Sequence, residues 1–260
     1  MRLAVLGMAV GHSRSPRIHR AALAACGLAG EYVAREVDAI GFAGACEEIA
    51  AGELDGANVT MPHKRAAHDA CRLLDLDAVR AEAVNTLARR DGILAGWNTD
   101  VAALRRALES LPEEEVLLLG AGGAAAAVLV AGAARQVTVA ARSEATAKKL
   151  VDRVHADARV VPWGTAVPGA IVVNATPLGM KGEPLPAGVL EAAAGLVDLA
   201  YGEAPTPAVR WARSRGLPAI DGISILVAQA AESFEIWTGL SAPRAVMEQA
   251  ARRPEKLKTP

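Results

Sequence analysis

Residues 116–134 read VLLLGAGGAAAAVLVAGAA, nineteen positions without a charge between Glu115 and Arg135. An apolar run of about 18 residues is long enough to cross a bilayer as a helix. Its internal order argues otherwise. Val116-Leu117-Leu118-Leu119 is a continuous apolar run of the kind buried on both faces of a parallel sheet. Gly120, Gly122 and Gly123 would weaken a spanning helix, yet they suit a turn where backbone must approach another group closely. Residues 124–134 have helix-forming composition. The stretch is read as strand, glycine turn and helix.

At that junction Gly120-Ala121-Gly122-Gly123-Ala124-Ala125 fits the spacing G-x-G-x-x-G/A. The first helical N–H groups and the helix dipole there favour a pyrophosphate, and no side chain blocks its approach. A dinucleotide ligand is expected; the alternative is a tight turn that binds nothing.

The rest of the composition suits this reading. With 260 residues, 52% hydrophobic and 22% charged, the chain has room for two ordinary domains with ample core. A net charge of −1 argues against a broad nucleic-acid or membrane surface. Cys26, Cys46 and Cys71 form no C-x-x-C pair, which predicts reduced thiols in a cytoplasmic protein. The apolar start, residues 3–10, is quickly followed by His12 and Arg14 and reads as a first buried strand rather than a signal peptide.

Taken in order, strands are expected at 2–6, 31–37 and 56–59, with a hairpin of 84–88 and 93–97 around Asp91-Gly92. Ser15-Pro16 opens a helix, with Ser15 as its cap and Pro16 at the first helical position. Pro62 opens another, and 42–51 and 101–108 have helical character. Beyond Glu115, strands at 116–119, 137–140, 170–173, 195–199 and 218–220 alternate with helices near 145–155, 187–194 and 207–214. That alternation predicts a parallel sheet covered on both faces. Residues 224–237 and 242–253 read as closing helices. The chain is expected to cross between halves at 98–101 and on the approach to Ser224, with substrate in the cleft between them.

The polar signals gather in the first hundred residues. Ser13 and Ser15 sit two apart where a loop enters a helix, a suitable cradle for a carboxylate; the alternative is one cap and one solvated hydroxyl. In Asn58-Val59-Thr60-Met61-Pro62-His63-Lys64, Lys64 falls in the first turn of a helix. The dipole end there opposes an ammonium charge, which suits a lysine that handles protons; the alternative is a solvated surface lysine. Asn98-Thr99-Asp100 ends the hairpin, so Asp100 is either a cap or, if the fold brings it to Lys64, half of a proton-handling pair. His12 and His19 lack a third ligand, and His63 and His68 do not share a helix face, so no metal is expected.

These motifs together resemble the shikimate dehydrogenase family. The resemblance runs through Gly11-His12-Ser13-Arg14-Ser15-Pro16, Asn58 to Lys64, Ala83-Val84-Asn85-Thr86, Asn98-Thr99-Asp100, the glycine turn, Asn174-Ala175-Thr176-Pro177-Leu178-Gly179-Met180 and Gln229-Ala230-Ala231. It implies a two-domain α/β fold: an N-terminal substrate domain of residues 1–100 joined by 224–260, and a Rossmann-like dinucleotide domain of 101–223. The C-terminal helices would pack back on the first domain. It implies NADPH-dependent reduction of 3-dehydroshikimate, with Lys64 and Asp100 as the catalytic pair. Ser13 and Ser15 would hold the substrate carboxylate, with Tyr201 close by, and Thr60, Asn85, Asp100 and Gln229 would bind ring hydroxyls. Gly120, Ala121, Gly122, Gly123, Ala124, Ala141, Arg142, Ser143, Thr176 and Gly222 would bind the cofactor. Arg20, Ala126 and Ser224-Ile225 depart from the usual pattern.

The choice of NADP also rests on residues. The strand at 137–140 ends in Ala141-Arg142-Ser143 with no acid at its tip. A carboxylate there would hold the ribose hydroxyls of NAD and repel a 2′-phosphate, whereas a guanidinium can take the phosphate. A quinate and shikimate dehydrogenase using NAD, and a sensor of shikimate or cofactor that does not turn it over, are the competing readings. The expected partner is a small molecule, with neither nucleic acid nor membrane; a homodimer is compatible with the sequence.

Overall fold

The uncharged stretch divides where its glycines fall. In the computed structural model, which describes residues 1–253, 116–119 is a strand and 123–131 a helix. Val116 and Leu118 pack on one side of the strand and Leu117 and Leu119 on the other, all fully buried. A strand covered on both faces has no polar side to show, hence the unbroken apolar run. No helix among the described residues is long and apolar enough to cross a membrane.

The chain begins with β1 (Arg2–Gly7), α1 (Ser15–Ala25), β2 (Glu31–Glu36), α2 (Ala39–Ala51), β3 (Gly56–Val59) and α3 (Lys64–Ala70). Then come β4 (Leu73–Leu74), α4 (Leu76–Ala81), β5 (Thr86–Arg90) and β6 (Ile93–Trp97). α5 (Thr99–Glu109) leads to β7 (Val116–Leu119), α6 (Gly123–Ala131), β8 (Val137–Ala141), α7 (Glu144–Arg153) and β9 (Ala158–Pro162). β10 (Ile171–Asn174), β11 (Gly195–Asp198), α8 (Pro207–Ser214), β12 (Ala219–Ile220), α9 (Gly222–Thr238) and α10 (Arg244–Arg252) complete it.

Among the described residues the strands form two six-stranded sheets, so the fold is two-domain α/β. The first has the order β2-β1-β3-β5-β6-β4; β5 runs antiparallel to both β3 and β6. The second, β12-β11-β10-β7-β8-β9, is parallel throughout. β1 sends Leu3 and Val5 to a core shared with α1, α9 and α10, and Ala4 and Leu6 to one shared with α2. α5 carries the chain from β6 to the second sheet, where Leu104 and Leu108 pack with β7 and α6. α9 starts beside β12 with Ile225 in that same core, then places Val227 and Phe234 against Leu3 and Val5. One helix thus touches the cores of both sheets.

Several local expectations are corrected. Residues 187–194 form turns rather than a helix: Gly188 is left-handed at φ +82, and Ala192 O accepts the Gly169 N–H at 2.7 Å. The backbone pairs with the neighbouring loop instead of with itself. Pro62 does not open α3, because His63 N–H closes a turn onto Thr60 O at 3.0 Å and the helix starts at Lys64. Ser15 is not a cap: it is already helical, and its N–H donates to Ser13 Oγ at 3.2 Å. The helix after the glycine turn stops at Ala131, with residues 132–134 in turns. Two strands escaped the pattern, β4 because it has only two residues and β9 because Arg159 and Pro162 dilute its apolar run.

The first sheet also buries a histidine. His19 is fully enclosed, stacked on Tyr32 at 4.4 Å and tilted against Trp237 at 5.2 Å, and among the described residues neither ring nitrogen has a hydrogen-bond partner. Burial pushes its pKa from the ordinary 6.5 down to about 3; the neighbouring Asn58 offsets this only in part. Between those values the unfolded chain binds a proton that the folded one does not. Stability is therefore full above the unfolded value and is lost as pH falls toward the folded one. His19→Leu is expected to flatten the pH dependence of unfolding free energy below pH 6.5, by up to about 1.4 kcal/mol per pH unit. Urea titrations across that window check it; equal slopes for both proteins would show that His19 titrates normally in the fold.

Candidate active site

The site begins where β3 ends. Thr60 N–H donates to Leu6 O at 2.9 Å, and the turn that follows delivers Lys64 to the start of α3. His63 anchors that turn, with Nε2 2.9 Å from Val37 O and its ring stacked on Phe42 at 4.9 Å. At the end of β6, Asn98 caps α5: its Oδ1 accepts the Val101 N–H at 3.3 Å. That cap frees Asp100, in the first helical turn, to face Lys64. Lys64 Nζ donates to Asp100 Oδ2 at 2.6 Å, with the side chains 17% and 20% exposed. An ammonium set against a positive helix end gains from a carboxylate partner. The pair is largely covered yet still reached by solvent.

Below it lies a buried polar network. Asn85 Oδ1 accepts the Thr99 N–H at 2.8 Å, and Asn85 Nδ2 donates to Thr99 Oγ1 at 3.0 Å. Thr99 Oγ1 in turn lies 3.4 Å from Gln229 Oε1 on α9. Asn58 Nδ2 reaches Ser233 Oγ at 2.9 Å and Thr86 Oγ1 at 3.1 Å, while Asn58 Oδ1 accepts from Tyr32 OH at 2.7 Å. Buried polar groups this fully paired hold one arrangement. The network ties Asn85 and Gln229 to Thr99, the residue before Asp100. Ser15 is buried near Tyr32 OH, and Ser13 is half-buried beside it. Tyr201 comes from the second sheet and lies under the Arg14 guanidinium, 5.7 Å from ring centroid to Cζ.

A second cluster lies along the carboxyl ends of the parallel strands. Gly120, just past β7, has φ +108, and a Cβ there would sit 3.0 Å from Thr176 Cγ2 and 3.1 Å from Ala175 O. Gly122 and Gly123 face open space at the start of α6, whose end has no side-chain cap. Free N–H groups in an open cradle fit the pyrophosphate of a dinucleotide. Ala121 and Ala124 are half-buried at its rim. Ala141 closes β8, leaving Arg142 exposed beyond it. Ser143 Oγ accepts the Thr146 N–H at 3.2 Å as the cap of α7. Thr176 Oγ1 donates to Asn174 Oδ1 at 2.6 Å at the end of β10. Gly222 starts α9, where a Cβ would come within 2.6 Å of Ala200 O.

Comparison with known proteins bears on this pairing of clusters. A family model described as shikimate dehydrogenase substrate binding domain matches residues 5–87, and one described as shikimate 5'-dehydrogenase C-terminal domain matches 222–252. The chain is 41% identical to a shikimate dehydrogenase (NADP(+)) of Alkalilimnicola ehrlichii, over 98% of this chain and 99% of the relative. It belongs to the shikimate dehydrogenase family. A shikimate dehydrogenase (NADP(+)) of Xylella fastidiosa is 40% identical, covering 92% of this chain and 91% of that protein. The crystal structure of shikimate 5-dehydrogenase from Thermus thermophilus, in complex with NADP(H) and shikimate, superposes with a TM-score of 0.86 at 36% identity. It covers 97% of this chain and 99% of the other.

Within this shikimate dehydrogenase family member, the departures have visible roles. Arg20 Nε donates to Tyr32 O at 3.0 Å, and Ala126 is buried in the packing of α6. Ser224 Oγ donates to Asp221 Oδ1 at 2.9 Å. Sequence reasoning passed over Thr99, Ser233, Tyr32 and Asn58 as site residues. Ser233 carries a readable signal: it stands one helical turn beyond Gln229 and donates to Gln229 O at 3.0 Å.

Proposed function

We propose that the protein catalyses the reversible NADPH-dependent reduction of 3-dehydroshikimate to shikimate, with Lys64 and Asp100 as its acid–base pair. The observation that carries this reading is the 2.6 Å contact between Lys64 Nζ and Asp100 Oδ2 above a buried polar network, in a chain of this family. In the reductive direction Lys64 donates a proton to the oxygen of the carbonyl as it becomes an alkoxide, and Asp100 holds the amine in line. Ser13 and Ser15 hydrogen-bond the carboxylate, with Tyr201 beside them, and Thr60, Asn85 and Gln229 bind ring hydroxyls. Because a site built around hydroxyls leaves its own groups unpaired when one is missing, it rejects analogues lacking them.

Gly120, Ala121, Gly122, Gly123 and Ala124 would hold the pyrophosphate, Ala141, Arg142 and Ser143 the adenosine phosphate, and Thr176 and Gly222 the nicotinamide end. When bound, the nicotinamide supplies the hydride. The reading assigns residues 1–100 and 224–260 to the substrate domain and 101–223 to the cofactor domain; 254–260 lie outside the described residues. It makes the protein cytoplasmic, and a homodimer would be compatible with it. The test is a panel of shikimate and quinate against NADP+ and NAD+, followed by nicotinamide absorbance. Shikimate with NADP+ is expected to give the highest kcat/KM. A higher value for quinate with NAD+ would replace this reading with a catabolic one, and no turnover of any pair would favour a sensor.

A further inference from the structure

The loop carrying Ser13 and Ser15 packs with the first sheet, whereas Asp221 caps α9 directly after β12 of the second, and the last turn of α10 stands between them. Arg252 places Nη1 3.1 Å from Asp221 Oδ2 and Nη2 3.0 Å from Asp221 Oδ1, a two-pronged contact. Its Nη2 also donates to Ser224 Oγ at 3.0 Å, and Nε to Glu248 Oε1 at 2.5 Å. Asp221 is the cap of α9, accepting the Ser224 N–H at 3.0 Å, and takes a further bond from Arg213 of α8 at 3.0 Å. Its side chain is only 7% exposed. Burial alone would raise this carboxyl; the bonds from Arg252, Ser224 and Arg213 outweigh it and hold it well below the usual carboxylate range.

The other side of the same helix grips the substrate loop. Met247 and Ala251 share a core with Ile18 and Ala22 of α1, so α10 is packed on α1. Arg14, between the two serines, donates to Ala251 O at 3.0 Å and reaches across to Gly202 O beyond β11. The last turn of α10 thus holds the loop through a backbone carbonyl and the β12–α9 junction through a side chain. A guanidinium is the group for this task, because its rigid fork matches a carboxylate in one orientation.

We propose that Arg252 is a positioning residue: by gripping Asp221 and Ser224 it latches the first turn of α9 to the Ser13–Ser15 loop and sets the separation across which hydride and proton move. The kinetic part rests on the functional reading above. Asp221→Asn separates latch from cap, since Asn caps helices as well as Asp does. Arg252→Ala and Asp221→Asn are each expected to lower kcat roughly 10- to 100-fold, the scale of a small misplacement far from the chemistry. Dissociation constants for NADP+ alone and shikimate alone should stay within about twofold, because each half is intact. The double variant should be no worse than the poorer single one.

Amide exchange on the unliganded protein supplies a readout independent of turnover. Asp221→Asn, which does not touch the loop, should speed exchange roughly tenfold both at Ser224 and at residues 13–15. Faster exchange at Ser224 alone, an unchanged kcat, or losses that multiply in the double variant would each overturn the latch. Should Arg252→Ala not fold, Arg252→Lys, which keeps the charge without the fork, is held to the same criteria. If the unmodified protein turns over neither shikimate nor quinate, the functional reading fails, and exchange still decides whether the two segments are coupled.

Discussion

Lys64→Ala is expected to lower turnover of shikimate by roughly 10²–10⁴-fold, the contribution of a positioned acid–base group, while the affinity for NADP+ changes little. The first half follows from the 2.6 Å contact with Asp100 and the partial cover of both side chains. An amine at a helix start, held by a carboxylate and still partly exposed, is placed to give and take a proton. The second half follows from topology: α3 follows β3 in the first sheet, whereas the glycine turn follows β7 in the second. The measurement is steady-state kinetics on the variant, with NADP+ binding by fluorescence. Turnover within a fewfold of the unmodified protein would remove Lys64 from the chemistry. A matching loss of cofactor affinity would point to general disruption instead.

Arg142→Ala is expected to weaken NADP+ by roughly 10–150-fold, the cost of removing hydrogen bonds to a charged group, and to leave NAD+ nearly untouched. Arg142 extends past the end of β8 into solvent, and its neighbour Ser143 is engaged in capping α7. The guanidinium supplies the positive charge of any grip on a 2′-phosphate at this strand end; the Ser143 hydroxyl only accepts in the cap and keeps its own hydrogen to donate. Lys148 and Lys149, further along α7, are exposed as well. Titrations of both cofactors against both proteins decide it: equal losses for NADP+ and NAD+ would show that Arg142 does not read the phosphate.

Much of this molecule was legible in its sequence, and the reasons are local. The apolar run 116–119 announced a strand with no solvent face, and the glycines after it announced a turn of tight backbone approach. Asp91-Gly92 announced the hairpin of β5 and β6. Where local signals compete, the fold departs from them. Residues 187–194 have helical composition, but their backbone groups pair with Gly169 and Ala170 across a loop. Ser15 has the character of a cap, but the helix already starts with it, and its own N–H donates to Ser13 Oγ.

The sequence by itself determined the alternation of strands and helices, the cofactor-type turn and the presence of Lys64, Asp100 and the two serines, because side-chain periodicity and backbone sterics act over a few residues. Only the tertiary structure decided which of these groups meet. Lys64 and Asp100 are 36 positions apart, Asn58 and Ser233 are 175 apart, and Arg14 reaches Gly202 across 188. The partner of each is set by the order of strands in its sheet and by helices that cross between sheets, and by the need to pair every polar group that packing removes from water.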